Sequence, residues 1–160
     1  MSIKLQDVFD INFLQKFQDD FSTAVGFSSI TVDAEGKPVT KPSNFSEFCM
    51  EYTRKSPEGL KRCMECDKKG GEEAFNTQKP AIYKCHANLI DFAAPIIFNG
   101  VQIGSMLAGQ VLAGEPDLDF YRQKAKEYGI NPEKYVESVK KTYVLSDRRI
   151  EAAANAMSLS

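Results

Sequence analysis

"AIYKCHANLIDFAAPIIFNGVQIGSMLAGQVLAG", residues 81–114, decides the fold. After Pro80 the apolar pattern leaves helical spacing, and short apolar runs alternate with turn residues. "AIYKCHANL" and "IDFAAPII" predict two strands, and "FNG" places a hairpin turn at Asn99–Gly100. "VQIGSMLAGQVLAG" then predicts a long, largely buried strand. Its small residues Gly104, Ser105, Ala108 and Gly109 admit close approach by a helix or a ligand. Successive strands joined by hairpin turns run antiparallel.

Upstream, "DVFDINFLQKFQDDFSTAV" sets Val8, Ile11, Leu14, Phe17, Phe21 and Val25 on one apolar helical face, with Gly26 as its stop. Ile30 and Val32 alternate with polar residues, "AEGK" predicts a hairpin turn, and "PVT" a return strand. Ser46 is positioned to cap a short helix through Arg54 carrying Phe48, Cys49 and Tyr52. A second helix starts at Ser56 with Pro57 in its first position and runs past Cys63 and Cys66, weakened at Gly70–Gly71. Downstream, "LDFYRQKAKEYG", "NPEKYVESVKK" and "SDRRIEAAANAMSLS" predict three helices, the second capped by Asn131. The expectation is one α+β domain over residues 1–160, an antiparallel sheet of about five strands flanked by helices. Residues 146–160 read as a terminal helix packed on that domain or as a connector to a further module.

A chain of 160 residues suffices for one hydrophobic core without covalent staples. The net charge of −2 gives no electrostatic ground for nucleic acid or an anionic membrane as partner. No apolar run is long enough to span a bilayer, and the start, "MSIKLQDVFDINF", lacks the pattern of a signal peptide. The expected location is therefore the cytoplasm, where thiols stay reduced.

The four cysteines are Cys49, Cys63, Cys66 and Cys85. In "RCMECD", residues 62–67, Cys63 and Cys66 share one face of a helical turn. Four thiolates can close a tetrahedral zinc shell or hold an iron–sulfur cluster. They can equally be small buried hydrophobes. His86, the only histidine, lies beside Cys85. On a strand the two would point to opposite faces, so joint ligation is disfavoured and His86 is free to face a pocket. The sequence has no phosphate-binding loop and no pair of histidines at catalytic-zinc spacing, and a four-thiolate shell leaves no open position for substrate. A thiol-dependent enzyme is the minority reading.

Four stretches resemble one family, the PocR-type sensory domain: "LQDVFDINFLQKFQDDFSTAVGFSSITVDAEGKPVTKPSNFSEFC", "GLKRCMECD", "YKCHANLIDFAAPIIFNGVQIGSMLAGQVL" and "YRQKAKEYGINPEKYVESVKKTYVLSDRRIEAAA". The resemblance covers nearly the whole chain. It implies a variant of the PAS-like sensor fold, here with extra C-terminal helices. It also implies a role in signalling, sensing small hydrocarbon derivatives such as short diols. The outputs of such domains are histidine kinases, chemoreceptors, cyclic-dinucleotide enzymes or AraC-type DNA-binding modules. Family habit adds a homodimer through the last helix. In "CHANLIDFAAPI", Asn88 stands where glycine is common.

A small neutral ligand needs a compact apolar pocket with a few placed polar groups. Tyr83, His86, Asp91 and Gln110 lie on the expected central strands and are the polar candidates. Phe92, Ile97 and Met106 are the candidate walls. Ligand binding with a structural zinc site is the main reading. A redox or oxygen sensor, through an iron–sulfur cluster or a switchable disulfide, is the alternative.

Overall fold

The computed structural model describes residues 2–157. Among them, β1 (Ser28–Asp33), β2 (Ala81–Lys84), β3 (Ile90–Phe98) and β4 (Val101–Val111) form one antiparallel sheet in the order β1–β4–β3–β2. Around it lie α1 (Leu5–Val8), α2 (Ile11–Val25), α3 (Pro57–Thr77), α4 (Leu118–Tyr128), α5 (Pro132–Lys140) and α6 (Asp147–Met157). This is an α+β fold.

The sheet has four strands rather than about five. The expected return strand after the Asp33–Gly36 turn touches β1 only at isolated bridges, Val32 with Pro38 and Ser29 with Ser43. Pro38 and Pro42 lack the N–H that a ladder requires, so the segment follows β1 without becoming a strand. The strand expected over 81–89 stops at Lys84. Cys85–Asn88 is a turn, closed by the Asn88 N–H donating to the Cys85 carbonyl at 2.9 Å, with Asn88 at φ 59°. His86 thus sits in a turn, and strand alternation does not govern its direction.

The two faces of the sheet carry different loads. On one, the paired residues Ile30, Leu107, Ala93 and Ala81 pack with Ala74 of α3. On the other, Phe92 and Ala108 pack with Phe27 and with Ile150, Ala153 and Ala154 of α6. α2 shares this second face over β1, yet its buried residues are Leu14, Gln18 and Ser22. Phe17, expected on the buried stripe, is 49% exposed. The polar row wins because Ser29, Thr31, Thr40 and Ser43 need hydrogen-bond partners that phenylalanine cannot supply.

Ser46–Arg54 is not a regular α-helix but a π-helical turn, Phe48–Tyr52, followed by a 3-10 turn, Thr53–Lys55. It delivers Phe48 onto the ring of Tyr135 in α5, with centroids 4.4 Å apart. α3 starts as expected, with the Ser56 side chain accepting from the Gly59 N–H and Pro57 in the first turn. It runs unbroken through Gly70–Gly71. Those glycines cost helix propensity and gain packing: a Cβ on Gly70 would lie 2.2 Å from the Tyr83 ring. α4, α5 and α6 lie where the sequence predicts them. Residues 158–160 of the expected connector are outside the described residues.

Candidate sensing site

A cavity of about 30 Å³ lies between the sheet and α3. Ile30, Phe45 and Leu107 form its apolar wall, and Arg54, Asp67, Tyr83, Asp91 and Gln110 supply its polar groups. That volume holds two or so water molecules.

The polar groups come from five elements. Asp91 sits on β3 directly opposite Tyr83 of β2. Gln110 is the extra residue of a β-bulge: Ile90 pairs with Val111 and Asp91 with Gly109. It adopts φ 58°, a left-handed conformation uncommon for a side-chain-bearing residue. Two hydrogen bonds pin it. Its N–H donates to Asp91 Oδ1 at 2.9 Å, and its Oε1 accepts the Ser46 N–H at 2.8 Å. Gly109, at φ 133°, brings the two backbones together, since a Cβ there would lie 2.5 Å from the Ile90 carbonyl oxygen. Arg54 Nη2 donates to Asp67 Oδ2 at 3.1 Å, and the guanidinium lies 5.2 Å from the centre of the Phe45 ring.

Among the described residues, Arg54 Nε and the Tyr83 hydroxyl are buried without a hydrogen-bond partner. Such groups are rare in folded proteins and point to an absent acceptor. Burial, with the Asp67 charge adding to it, pushes the Asp91 carboxyl up to about 7. Burial also raises Asp67, against the lowering effect of Arg54.

The sequence-predicted residues divide by location. Tyr83, Asp91 and Gln110 line this cavity. Phe92 and Met106 point to the opposite face of the sheet, Phe92 into the α6 cluster and Met106 at a position paired with Thr31. Ile97 is partly buried near the β3–β4 hairpin. His86 lies outside the cavity: its Nε2 is 3.2 Å from Cys63 Sγ and its Nδ1 2.7 Å from the Tyr128 hydroxyl. Burial lowers the His86 pKa to about 4, helped by the positive charges of Arg62 and Lys124. Arg54, Asp67 and Phe45 were not among the expected residues. For Asp67 the signal was present: it lies four residues after Cys63 and three before Gly70, on the buried face of α3.

The thiols gather beside this cavity. Cys66 and Cys85 line one pocket with His86, and Cys85 accepts the backbone N–H of Ala87 at 3.4 Å. Among the described residues, no three His, Cys, Asp or Glu side chains are arranged so as to hold a metal ion. The four cysteines of the expected zinc shell, Cys49, Cys63, Cys66 and Cys85, are free thiols. Burial raises the pKa of each thiol, that of Cys63 to about 12.

The family model described as the sensory domain found in PocR matches residues 7–160. The chain belongs to the PocR sensory-domain family. The regulatory protein PocR of Salmonella typhimurium is 37% identical over 98 residues, covering 61% of this chain and 32% of the relative. The chain thus matches about a third of that relative's length. A PocR sensory domain is a regulatory, ligand-sensing module, and this one holds its unsatisfied polar groups between the sheet and α3. No helix among the described residues is long and apolar enough to cross a membrane.

Proposed function

We propose that residues 1–160 are one sensory domain that binds a small organic molecule, a short diol, alcohol or related hydrocarbon derivative, through the polar groups gathered beneath α3. The observation that carries this reading is the pair of buried, partnerless donors, Arg54 Nε and the Tyr83 hydroxyl, in a cavity that also holds the Asp91 carboxyl. A hydroxyl group both accepts and donates, so one ligand oxygen can take the Arg54 or Tyr83 hydrogen and return its own to Asp91.

Relay to an output module follows the chain. Gln110 lies two residues before Leu112, whose N–H donates to the Tyr143 carbonyl at 2.8 Å and whose carbonyl accepts the Leu145 N–H at 2.8 Å. That latch leads directly into α6. A ligand that alters the Asp91–Gln110 hydrogen bond therefore acts on the segment that sets the position of α6, and a two-state shift there is the signal. The output is a kinase, chemoreceptor, cyclic-dinucleotide enzyme or DNA-binding module, with α6 and the residues after it as connector and as the contact of a homodimer.

Thermal unfolding against 1,2-propanediol, glycerol, ethanol and acetate tests the reading. A ligand at about 100 times its Kd stabilises by about 2.7 kcal/mol, several degrees in a domain of this size. One of the four raising Tm saturably in the wild type, and less in Asp91→Ala, is the expected result; no saturable shift with any of them overturns it.

The cysteines support a separate proposal, structural zinc on Cys49, Cys63, Cys66 and Cys85, or an iron–sulfur cluster as the redox alternative. Its support is the gathering of Cys63, Cys66 and Cys85 around one turn, and it requires the side chains to reorient. Elemental analysis and an absorption spectrum of protein purified without oxygen separate zinc, iron with sulfide, and neither.

A further inference from the structure

The cavity is too small for a five-heavy-atom diol, and a larger space lies next to it. A surface pocket of about 380 Å³ is lined by Cys66, Lys69, Gly70, Tyr83, Cys85 and His86, among others. Tyr83 borders both spaces. Its ring lies over Gly70, where the missing side chain leaves the room it occupies.

We propose that Tyr83 is a door: its ring separates the small cavity beside Asp91 from the Cys66–His86 surface pocket, and its outward rotation joins the two into one binding space. The proposal rests on the sensing reading only for what passes through.

Three walls of the cavity compete for this role, and their attachments differ. The Phe45 wall is tied down by the Arg54 guanidinium over its ring and by the neighbouring Ser46 N–H donating to Gln110. The Asp67 wall is tied by its ion pair with Arg54, both side chains about one-fifth exposed. Among the described residues the Tyr83 hydroxyl has no hydrogen-bond partner. Rotating the ring outward breaks no hydrogen bond and gives the hydroxyl access to water. Nothing on Gly70 obstructs the swing. The least-tied wall is the one that opens first, because local opening follows the weakest set of contacts.

A buried reporter tests this without any cognate ligand. Leu107 faces the cavity and is 4% exposed, so Leu107→Cys places a thiol behind the door. The probe is methyl methanethiolsulfonate, read site by site by mass spectrometry, with the buried Cys49 in the same molecule reporting global opening. Adding Tyr83→Ala is expected to raise the ratio of labelling at position 107 to labelling at Cys49 by about tenfold or more, the effect of one gate removed from a local equilibrium. Gly70→Ala, which takes away the seat of the ring, is expected to raise the same ratio. Phe45→Ala is expected to leave it unchanged. An unchanged ratio in both Tyr83→Ala and Gly70→Ala, or a larger rise in Phe45→Ala, overturns the proposal. Loss of the diol effect on Tm with the labelling pattern intact would instead overturn the ligand and leave the door standing.

Discussion

Two buried polar clusters flank the same sheet, and they are opposites. Under α2, the amide of Gln18 donates to the Lys41 carbonyl at 2.7 Å and to Ser43 Oγ at 2.8 Å. Its oxygen accepts from Thr31 at 2.9 Å and from Thr40 at 2.6 Å. Every hydrogen-bonding position of that side chain is used. Under α3, Arg54 and Tyr83 each bury a donor with no partner, and Asp91 is buried next to a second carboxylate. A satisfied network fixes a structure, whereas an unsatisfied one is finished by something else. The comparison locates the site better than any residue type does, because serine, threonine and glutamine under α2 are as polar as the residues under α3.

The sharpest way to break this comparison is pH. Asp91, faced by Asp67, Arg54 and Tyr83, has a folded pKa raised to about 7 from the usual 3.8. In that window the folded state holds the proton that the unfolded state has lost. The stability from the protonated form is therefore complete below about pH 4 and is lost as pH rises through 7. Asp91→Asn carries no such loss. Its stability relative to wild type is expected to rise by roughly 4 kcal/mol between pH 4 and pH 8, measured by urea unfolding at both. A flat difference would mean that Asp91 is charged and partnered, and the cluster less frustrated than it looks.

Next in size is Gln18→Leu. It takes the acceptor from the Thr31 and Thr40 hydroxyls and a donor from Ser43 Oγ, and is expected to destabilise by about 3 kcal/mol in thermal or urea unfolding. If the loss is small, the α2 network is not the structural half of the pair. The smallest effect belongs to Tyr83→Phe, which removes a buried hydroxyl that bonds nothing. Stability is expected to stay level or rise by up to about 1 kcal/mol in the same unfolding experiment. A marked loss would reveal a partner for the hydroxyl and weaken its assignment as a door.

Much of this molecule was legible in the residues. The strand segments at 28–33, 90–98 and 101–111, the helix from Ser56, and the capped helices at 118–128 and 132–140 followed from periodicity, Asn131, Pro57 and Pro132. Of the polar candidates, Tyr83, Asp91 and Gln110 came together in one cavity. His86 did not, because the turn at Cys85–Asn88 ended the strand at Lys84, five residues earlier than expected, and turned the imidazole toward Cys63 and Tyr128. The stripe of phenylalanines on α2 pointed to the wrong face, since periodicity registers apolar residues and is blind to a polar row that a neighbouring strand requires.

The sequence by itself determined the class of fold and the family, although its candidate pocket joined Asp91 with Phe92, which lie on opposite sides of the sheet. Spacing along one chain carries that information, because strand and helix periods are local properties of the backbone. Only the tertiary structure decided that Arg54 from a 3-10 turn, Asp67 from α3 and Tyr83 from β2 meet around Asp91, and that two of their donors stay unpaired. Whether a buried group finds a partner depends on atoms brought from distant segments to within about 3 Å, a distance that no local pattern encodes.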